Sequence, residues 1–580
     1  MTEQLQGETD LSAFEHYTPR RFVPEGADLA DKAVVVGLYK ALLQRELRSG
    51  EDLEAWVMDR SELDAAVDEV GSILYVRMTC QTDDVERASR YKAFMTHVVP
   101  AIKPLGHALN AAYLAARERF GAEGPRYEVY DRTTRAQVAI FREENVPLQT
   151  DLSLLSQEYQ TLCGAMTVAF DGEEQTLPQM ARYQQETDRA LRERAWRATT
   201  DRRLRDRDAL ERLFDRMFAL RARVADNAGF PSFREYSFAA MNRFDYTPGD
   251  CEAYHDAVEA VVVPLWRGIQ QRRRERMGLA ALRPWDTHVD PEGRDPLKPF
   301  AAPSKLIDGC AEVFRRADPA LGEQFAMMRD AGLLDLASRK GKAPGGYQTT
   351  LAEARKPFIF MNAVGLDRDV RTLLHEGGHA FHALAAAGEP LVDYRHGPME
   401  FCEVASMGME LLADGHLGVF YGDADLARSR REHLEGVIMI LPWVATIDAF
   451  QHWIYTHPGH SPAERREAWV RIHDRFSGGV VDWGGLDEAK AYMWHRQLHI
   501  FEVPFYYIEY GIAQLGALQL WARAKADPAA ALADYKAALA LGGSRPLPEL
   551  FAAAHLRFDF SADTIAPLVE AVAGELATLH

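Results

Sequence analysis

His375-Glu376-Gly377-Gly378-His379 sets two imidazoles four residues apart, with a carboxylate directly after the first. On a helix, residues i and i+4 share a face, so both side chains can bind one zinc ion. Glu376 can then stand over the open coordination position and take a proton from water there. Zinc held by two imidazoles still needs a third protein ligand. Residues 398–412 read as a second helix that supplies it, with Pro398 at its start and Asp414-Gly415 at its end. Glu403 and Glu410 lie two turns apart on one face, with Ser406 between them, on a helix otherwise rich in Val, Met, Phe and Leu. Glu403 is the expected third ligand, with Glu400 as its rival. Glu410 is the expected acceptor for the outer ring nitrogen of a ligand His. Cys402 points away from that face and reads as packing.

Two neutral imidazoles and one carboxylate leave a zinc site with a formal charge near +1, which keeps the metal a good Lewis acid. Glu376 then serves as general base and later as proton donor to a leaving amine. A peptide carbonyl attacked in this way becomes an oxyanion and needs a further donor. Tyr507 and Tyr510, one helical turn apart, offer uncharged phenol donors, whereas Tyr506 is expected to face elsewhere. An aromatic stripe of this kind is more often core.

The elements that must hold these residues are mostly helices. Asp367 and Asp369 favour a helix start, Leu373, Leu374, Ala380, Phe381 and Leu384 form an apolar stripe, and Gly388 before Glu389-Pro390 reads as a stop. Gly377 and Gly378 break that pattern, since each interior Gly costs about 0.8–1 kcal/mol relative to Ala. Such a breach marks a place where another backbone or a substrate approaches closely. Residues 345–351 and 356–361 read as two short strands just before this helix. The first of them, with Gly345, Gly346 and Tyr347, is a candidate edge for an extended peptide, or a small structural sheet. Residues 33–48 and 85–116 have helical spacing. Residues 177–227 read as long exposed helices, with Arg182, Arg189, Arg192 and Arg194 on a solvated face. Residues 527–541 form an Ala-rich helix.

Residues 369–382, carrying the His-Glu motif, together with 403–406, 341–347 and 499–510, resemble the M3 family of zinc metallopeptidases. The likeness is to its oligoendopeptidase F and Pz-peptidase branch, which is thimet oligopeptidase-like, and it runs from about Leu53 to about Trp521. It implies one Zn2+ per chain on His375, His379 and Glu403, with Glu376 catalytic. It also implies that His499, Tyr507 and Tyr510 contact substrate and transition state. The implied fold is mainly α, a two-lobed helical peptidase with a deep channel and a small β-sheet beside the zinc helix. Gly377 departs from the larger residue common in other branches, and His382 reads as packing or an outer contact.

The implied function is a zinc-dependent oligoendopeptidase acting on internal bonds of short peptides. The alternatives are an exopeptidase of the same clan, such as a dipeptidyl carboxypeptidase, and a metal-bearing peptide-binding protein without turnover. Retention of Glu376 weighs against the last, because metal binding alone does not need it. Three consecutive parts are expected: an N-terminal helical region (1–116), a helical middle region forming one channel wall (117–335) and a catalytic region (336–580), with a Pro-rich connection at 283–303. A formal charge of −19 over 580 residues argues against nucleic acid as a partner. Five cysteines in an odd, scattered count suit a reducing compartment. The polar, acidic first ten residues are unlike a secretory signal, and no run approaches the roughly 20 apolar residues that span a bilayer. A cytoplasmic location is therefore expected, with no membrane partner and no signal for oligomeric state.

Overall fold

The computed structural model describes residues 9–120, 125–339, 341–343 and 345–579. Residues 1–8 of the polar N-terminal stretch, and Pro344 within 341–347, lie outside them. Among the described residues the fold is mainly α, with two small sheets. The chain divides into two compact units, each drawn from three separate stretches: Met1–Ala139, Lys298–Leu426 and Gly516–Phe558 in the first, Ile140–Leu297, Ala427–Leu515 and Asp559–His580 in the second.

In the first unit, helices Lys32–Leu43, Gly50–Cys80 and Val99–Phe120 surround a core that includes Val35, Leu53, Trp56, Leu109 and Tyr113. Asp31 and Ser49 cap the first two through their side-chain oxygens, satisfying amides that a helix start leaves unpaired. The 85–116 pattern is realised as two α-helices joined by one π-turn, Phe94–Val98. A three-stranded sheet places Lys356–Ala363 at the centre, Leu334–Ala337 parallel on one side and Tyr347–Leu351 antiparallel on the other. The antiparallel register runs from Tyr347↔Phe360 to Leu351↔Lys356, which leaves Tyr347–Leu351 as an edge strand. Lys342 staples this sheet from within: its ammonium donates to the Asp335 carboxylate at 2.9 Å and to the carbonyls of Asp335, Ala337 and Met361.

The second unit contains the hairpin Thr167–Phe170/Glu173–Thr176 and the helices Arg189–Arg205, Arg207–Ala228, Pro248–Ala257 and Pro462–Phe476. Nearly all of helix Asp423–Thr456 belongs to it as well. Among the described residues, that helix alone is long and apolar enough to cross a bilayer, yet 72% of its apolar window is buried within the protein, as in a core helix. The arginine-rich stretch differs from the fully solvated face expected of it. Arg192 is only 2% exposed and donates to Asp286, itself fully buried, while Arg189 donates to both oxygens of the same carboxylate. Buried cations persist only when paired in this way, and single-sequence charge patterning does not reveal the partner of Arg192, 94 residues on.

Candidate metal centre

The His-Glu motif lies in helix Asp367–Ala385. Its start is fixed by Asp369, whose Oδ2 accepts from the amides of Val364, Gly365 and Leu366 at 2.8–3.0 Å. The helix ends at Ala385, before Gly388, so the glycine is not its terminator. Val370, Leu373, Leu374, Ala380 and Phe381 bury its apolar stripe. The second helix, Met399–Ala413, packs directly against it.

The two mid-helix glycines explain how closely. A Cβ on Gly378 would sit 2.5 Å from the Ala405 carbonyl oxygen and 2.6 Å from the Ser406 Cα. A Cβ on Gly377 would meet the Phe314 ring at 2.6 Å. The backbone of one helix therefore runs against the other at Gly378, which no side chain would permit. The hydroxyl of Tyr535 donates to the same Ala405 carbonyl at 2.7 Å and holds that turn in place.

This approach brings His375, His379 and Glu403 together. One nitrogen of each His and one carboxylate oxygen all lie within 4.8 Å of one another. Glu403 Oε2 is 3.4 Å from His375 Nε2 and 3.7 Å from His379 Nε2. Ligands about 2.0–2.2 Å from a tetrahedral ion are spaced much like this, so the donor set and its spacing fit zinc. Ser406 donates to Glu403 Oε2 at 3.1 Å. Glu410 Oε1 accepts from His375 Nδ1 at 2.7 Å, which leaves Nε2 facing Glu403. Glu400 is buried outside the group, and Cys402 donates its thiol to the Gly397 carbonyl at 3.4 Å. His382 packs beside Phe401 and Gly397.

The electrostatics follow from burial among carboxylates. Burial opposes a charge on His375, but hydrogen bonds to Glu403 and Glu410 outweigh it and raise the imidazole well above its usual value. The two carboxylates thus call for a positive charge between them, which a proton or a metal ion can supply. Burial pulls His379 down to about 3, so its imidazole stays neutral. Burial also pushes Glu376 up to about 7, opposed by His375 and by a backbone hydrogen bond from Gln348 on the edge strand. Glu403 remains below the usual carboxylate range because its hydrogen bond from His375 and the nearby His379 overcome burial.

The Gly345–Tyr347 stretch leads into the edge strand. Gly345 has φ of +98°, and its carbonyl and that of Ala343 both accept from the Asn362 amide, at 2.9 and 2.8 Å. Tyr347 stacks on Phe360 at 4.8 Å, and its hydroxyl pairs with Thr79 at 2.6 Å, so its phenol is already engaged. His499, Tyr507 and Tyr510 form an aromatic cluster in the second unit, with ring centroids 4.9 Å (His499–Tyr507), 5.9 Å (His499–Tyr510) and 5.3 Å (Tyr507–Tyr510) apart. Tyr507 sits in the turn before helix Ile508–Ala526 rather than on the helix. That turn brings Tyr506 into the cluster as well, 5.5 Å from Tyr510 and 5.8 Å from His499, against the expectation that it faces elsewhere. Gln497, which spacing did not single out, donates to His499 Nδ1 at 2.8 Å and leaves the proton of the neutral ring on Nε2.

Residues 182–569 match the model of peptidase family M3. Of solved structures, a protein assigned as oligoendopeptidase F is 29% identical, with a TM-score of 0.88 over 98% of this chain and 99% of that one. Pz peptidase A, solved with an inhibitor, is 27% identical at a TM-score of 0.88, with coverage of 98% and 99%. A further protein assigned as oligoendopeptidase F, from Bacillus anthracis str. Ames, is 25% identical at a TM-score of 0.83, with 99% of each chain covered. No curated protein matches the sequence.

Proposed function

The chain belongs to peptidase family M3 and is a metallopeptidase, and we propose that it is a zinc-dependent oligoendopeptidase that hydrolyses internal bonds of short peptides. The observation that carries this reading is the convergence of His375, His379 and Glu403 within 4.8 Å, with Glu376 next to the first of them in the chain. In this reading His375, His379 and Glu403 hold one Zn2+. When bound, zinc supplies Lewis-acid polarisation of a peptide carbonyl and acidifies water. Glu410 fixes the ring of His375, and Ser406 steadies the Glu403 carboxylate.

Glu376 takes a proton from the attacking water and passes it to the leaving amine. His499, Tyr507 and Tyr510 are proposed to bind the substrate carbonyl and the developing oxyanion, through imidazole and phenol donors that carry no charge of their own. Gly345 and Gly346 lie where the chain enters the edge strand, and in this reading that edge pairs with an extended peptide. Tyr347 contributes by anchoring that strand through Thr79 and Phe360. Backbone pairing reads main chain rather than side chains, which suits short peptides of varied sequence. The five cysteines are all free thiols, in keeping with a reducing, cytoplasmic setting.

The test is a mixture of doubly blocked and free peptides, incubated with and without a chelator. Cleavage of blocked peptides that a chelator abolishes and zinc restores is the expected result. Cleavage only of peptides with a free C-terminus would assign a dipeptidyl carboxypeptidase-like exopeptidase instead. Chelator-resistant cleavage would overturn the metal assignment.

A further inference from the structure

A second cluster of metal-ligating side chains is buried in the second unit, and the catalytic reading makes no use of it. Helix Pro248–Ala257 carries Cys251 and His255, and helix Asp423–Thr456 carries Asp448 and His452. Each pair is spaced i, i+4, so each helix presents two donors on one face. A sulfur of Cys251, an oxygen of Asp448 and a nitrogen of His452 all lie within 4.8 Å of one another. Cys251 and Asp448 are fully buried, and His452 is 5% exposed. His255 Nε2 meets Asp448 Oδ2 at 2.8 Å, and the two imidazoles stand 5.7 Å apart.

An ordinary Asp–His pair would account for His255 but not for the rest. Among the described residues, Asp448 Oδ1 has no hydrogen-bond partner, and neither does either ring nitrogen of His452. His452 Nε2 lies 3.3 Å from Asp448 Oδ2 without hydrogen-bond alignment. Phe505 and Phe238 pack against the His452 ring and offer it no polar contact. Unpartnered polar atoms this deeply buried are destabilising, and a metal ion would satisfy them together.

We infer that Cys251, Asp448 and His452 form a second metal-binding site, taking an ion of the zinc class, with His255 positioning Asp448. Thiolate, imidazole and carboxylate together select zinc-like ions over magnesium or calcium, which prefer oxygen. The charges also balance: one thiolate and one carboxylate neutralise a divalent cation, so the filled site buries no net charge. Binding releases the Cys251 thiol proton to solvent. A metal there would pin helix Pro248–Ala257 to helix Asp423–Thr456, which is a structural role separate from hydrolysis.

Cobalt is the probe that separates the two sites. Thiolate bound to cobalt gives a charge-transfer band in the near ultraviolet, which a centre of two imidazoles and one carboxylate lacks. Full-length protein produced in cobalt-supplemented minimal medium should hold about two metal ions per chain and show that band. C251S should lose the band and one ion, whereas H379A should lose one ion and keep the band. If C251S does not fold, H452Q is read in its place, with loss of one ion and a collapsed band expected. A single ion removed by H379A with no thiolate band, or a band that survives in C251S, would overturn the second site and leave the catalytic reading untouched.

Discussion

Gly378 stands so close to Ser406 that a Cβ on the glycine would lie 2.6 Å from the Ser406 Cα. That approach sets the spacing of the two helices that carry His375, His379 and Glu403. G378A must push them apart, because the obstructing atoms are backbone and cannot rotate away. Overpacking of this kind costs about 1–3 kcal/mol or more. We expect G378A to lower both Tm and zinc content, and G377A, which meets a ring, to spare zinc content more. Thermal unfolding and metal analysis of the two variants check this; unchanged zinc in G378A would mean that the helix spacing does not govern the site.

E376Q should retain zinc and lose about 10²–10⁴-fold in kcat, the usual share of a general base. Glu376 is buried beside the cluster but is not among its three converging groups. Single-turnover hydrolysis and metal content, measured on the same preparation, separate the two effects. Substantial residual turnover would remove Glu376 from the base role.

E403A and E410Q should differ in kind. E403A removes one of the three converging groups and should abolish stoichiometric zinc. E410Q keeps the shape but weakens the bond that orients His375, and should reduce zinc affinity about 10–100-fold. Competition with a chromophoric chelator measures both. Full zinc occupancy in E403A would transfer the third position to Glu400.

Y510F should lower kcat more than it raises KM, because a donor to a developing oxyanion acts chiefly in the transition state. Steady-state kinetics on one blocked peptide decides it, and an unchanged kcat would exclude Tyr510 from that role.

The Asp286 pair makes a prediction about acid stability. Burial alone would raise this carboxyl, but hydrogen bonds from Arg189, the Arg283 amide and Arg192 outweigh it and hold it below the usual carboxylate range. A carboxyl depressed in the folded state contributes its full stability above its unfolded value and loses it as pH falls through the folded one. D286N, which leaves Arg192 buried without its counter-charge, should cost about 3–5 kcal/mol near neutrality. The Tm gap between wild type and D286N should therefore hold from neutrality down to about pH 5 and narrow only as pH falls below about 4, the unfolded carboxyl's value. A gap that stays constant with pH would show that the carboxylate charge contributes nothing.

The residues that make up the candidate centre were legible one by one. The i, i+4 spacing of His375 and His379, the two-turn spacing of Glu403 and Glu410, and the polar Ser406 between them are periodic signals, and a helix converts period into a shared face. Gly377 and Gly378 were legible as a breach of helix preference, but which neighbour required each of them was not. Ala405, Ser406 and Phe314 are named only by packing. Tyr506 illustrates the opposite failure. Its offset of about 100° from Tyr507 points to another face, but Tyr506 and Tyr510 are i, i+4, a spacing that shares a face, and the ring joins the cluster.

By itself, the sequence determined the mainly helical class, the metal-binding residue types and the negative charge, because these depend on composition and on spacing within single elements. Tertiary structure alone decided what depends on contacts between distant stretches. Arg192 finds Asp286, Tyr535 finds the Ala405 carbonyl, and Cys251 meets Asp448 and His452. Each compact unit is likewise woven from three separate stretches. Local periodicity fixes the direction of a side chain around its own axis, whereas the partner across the gap is chosen by how whole elements pack.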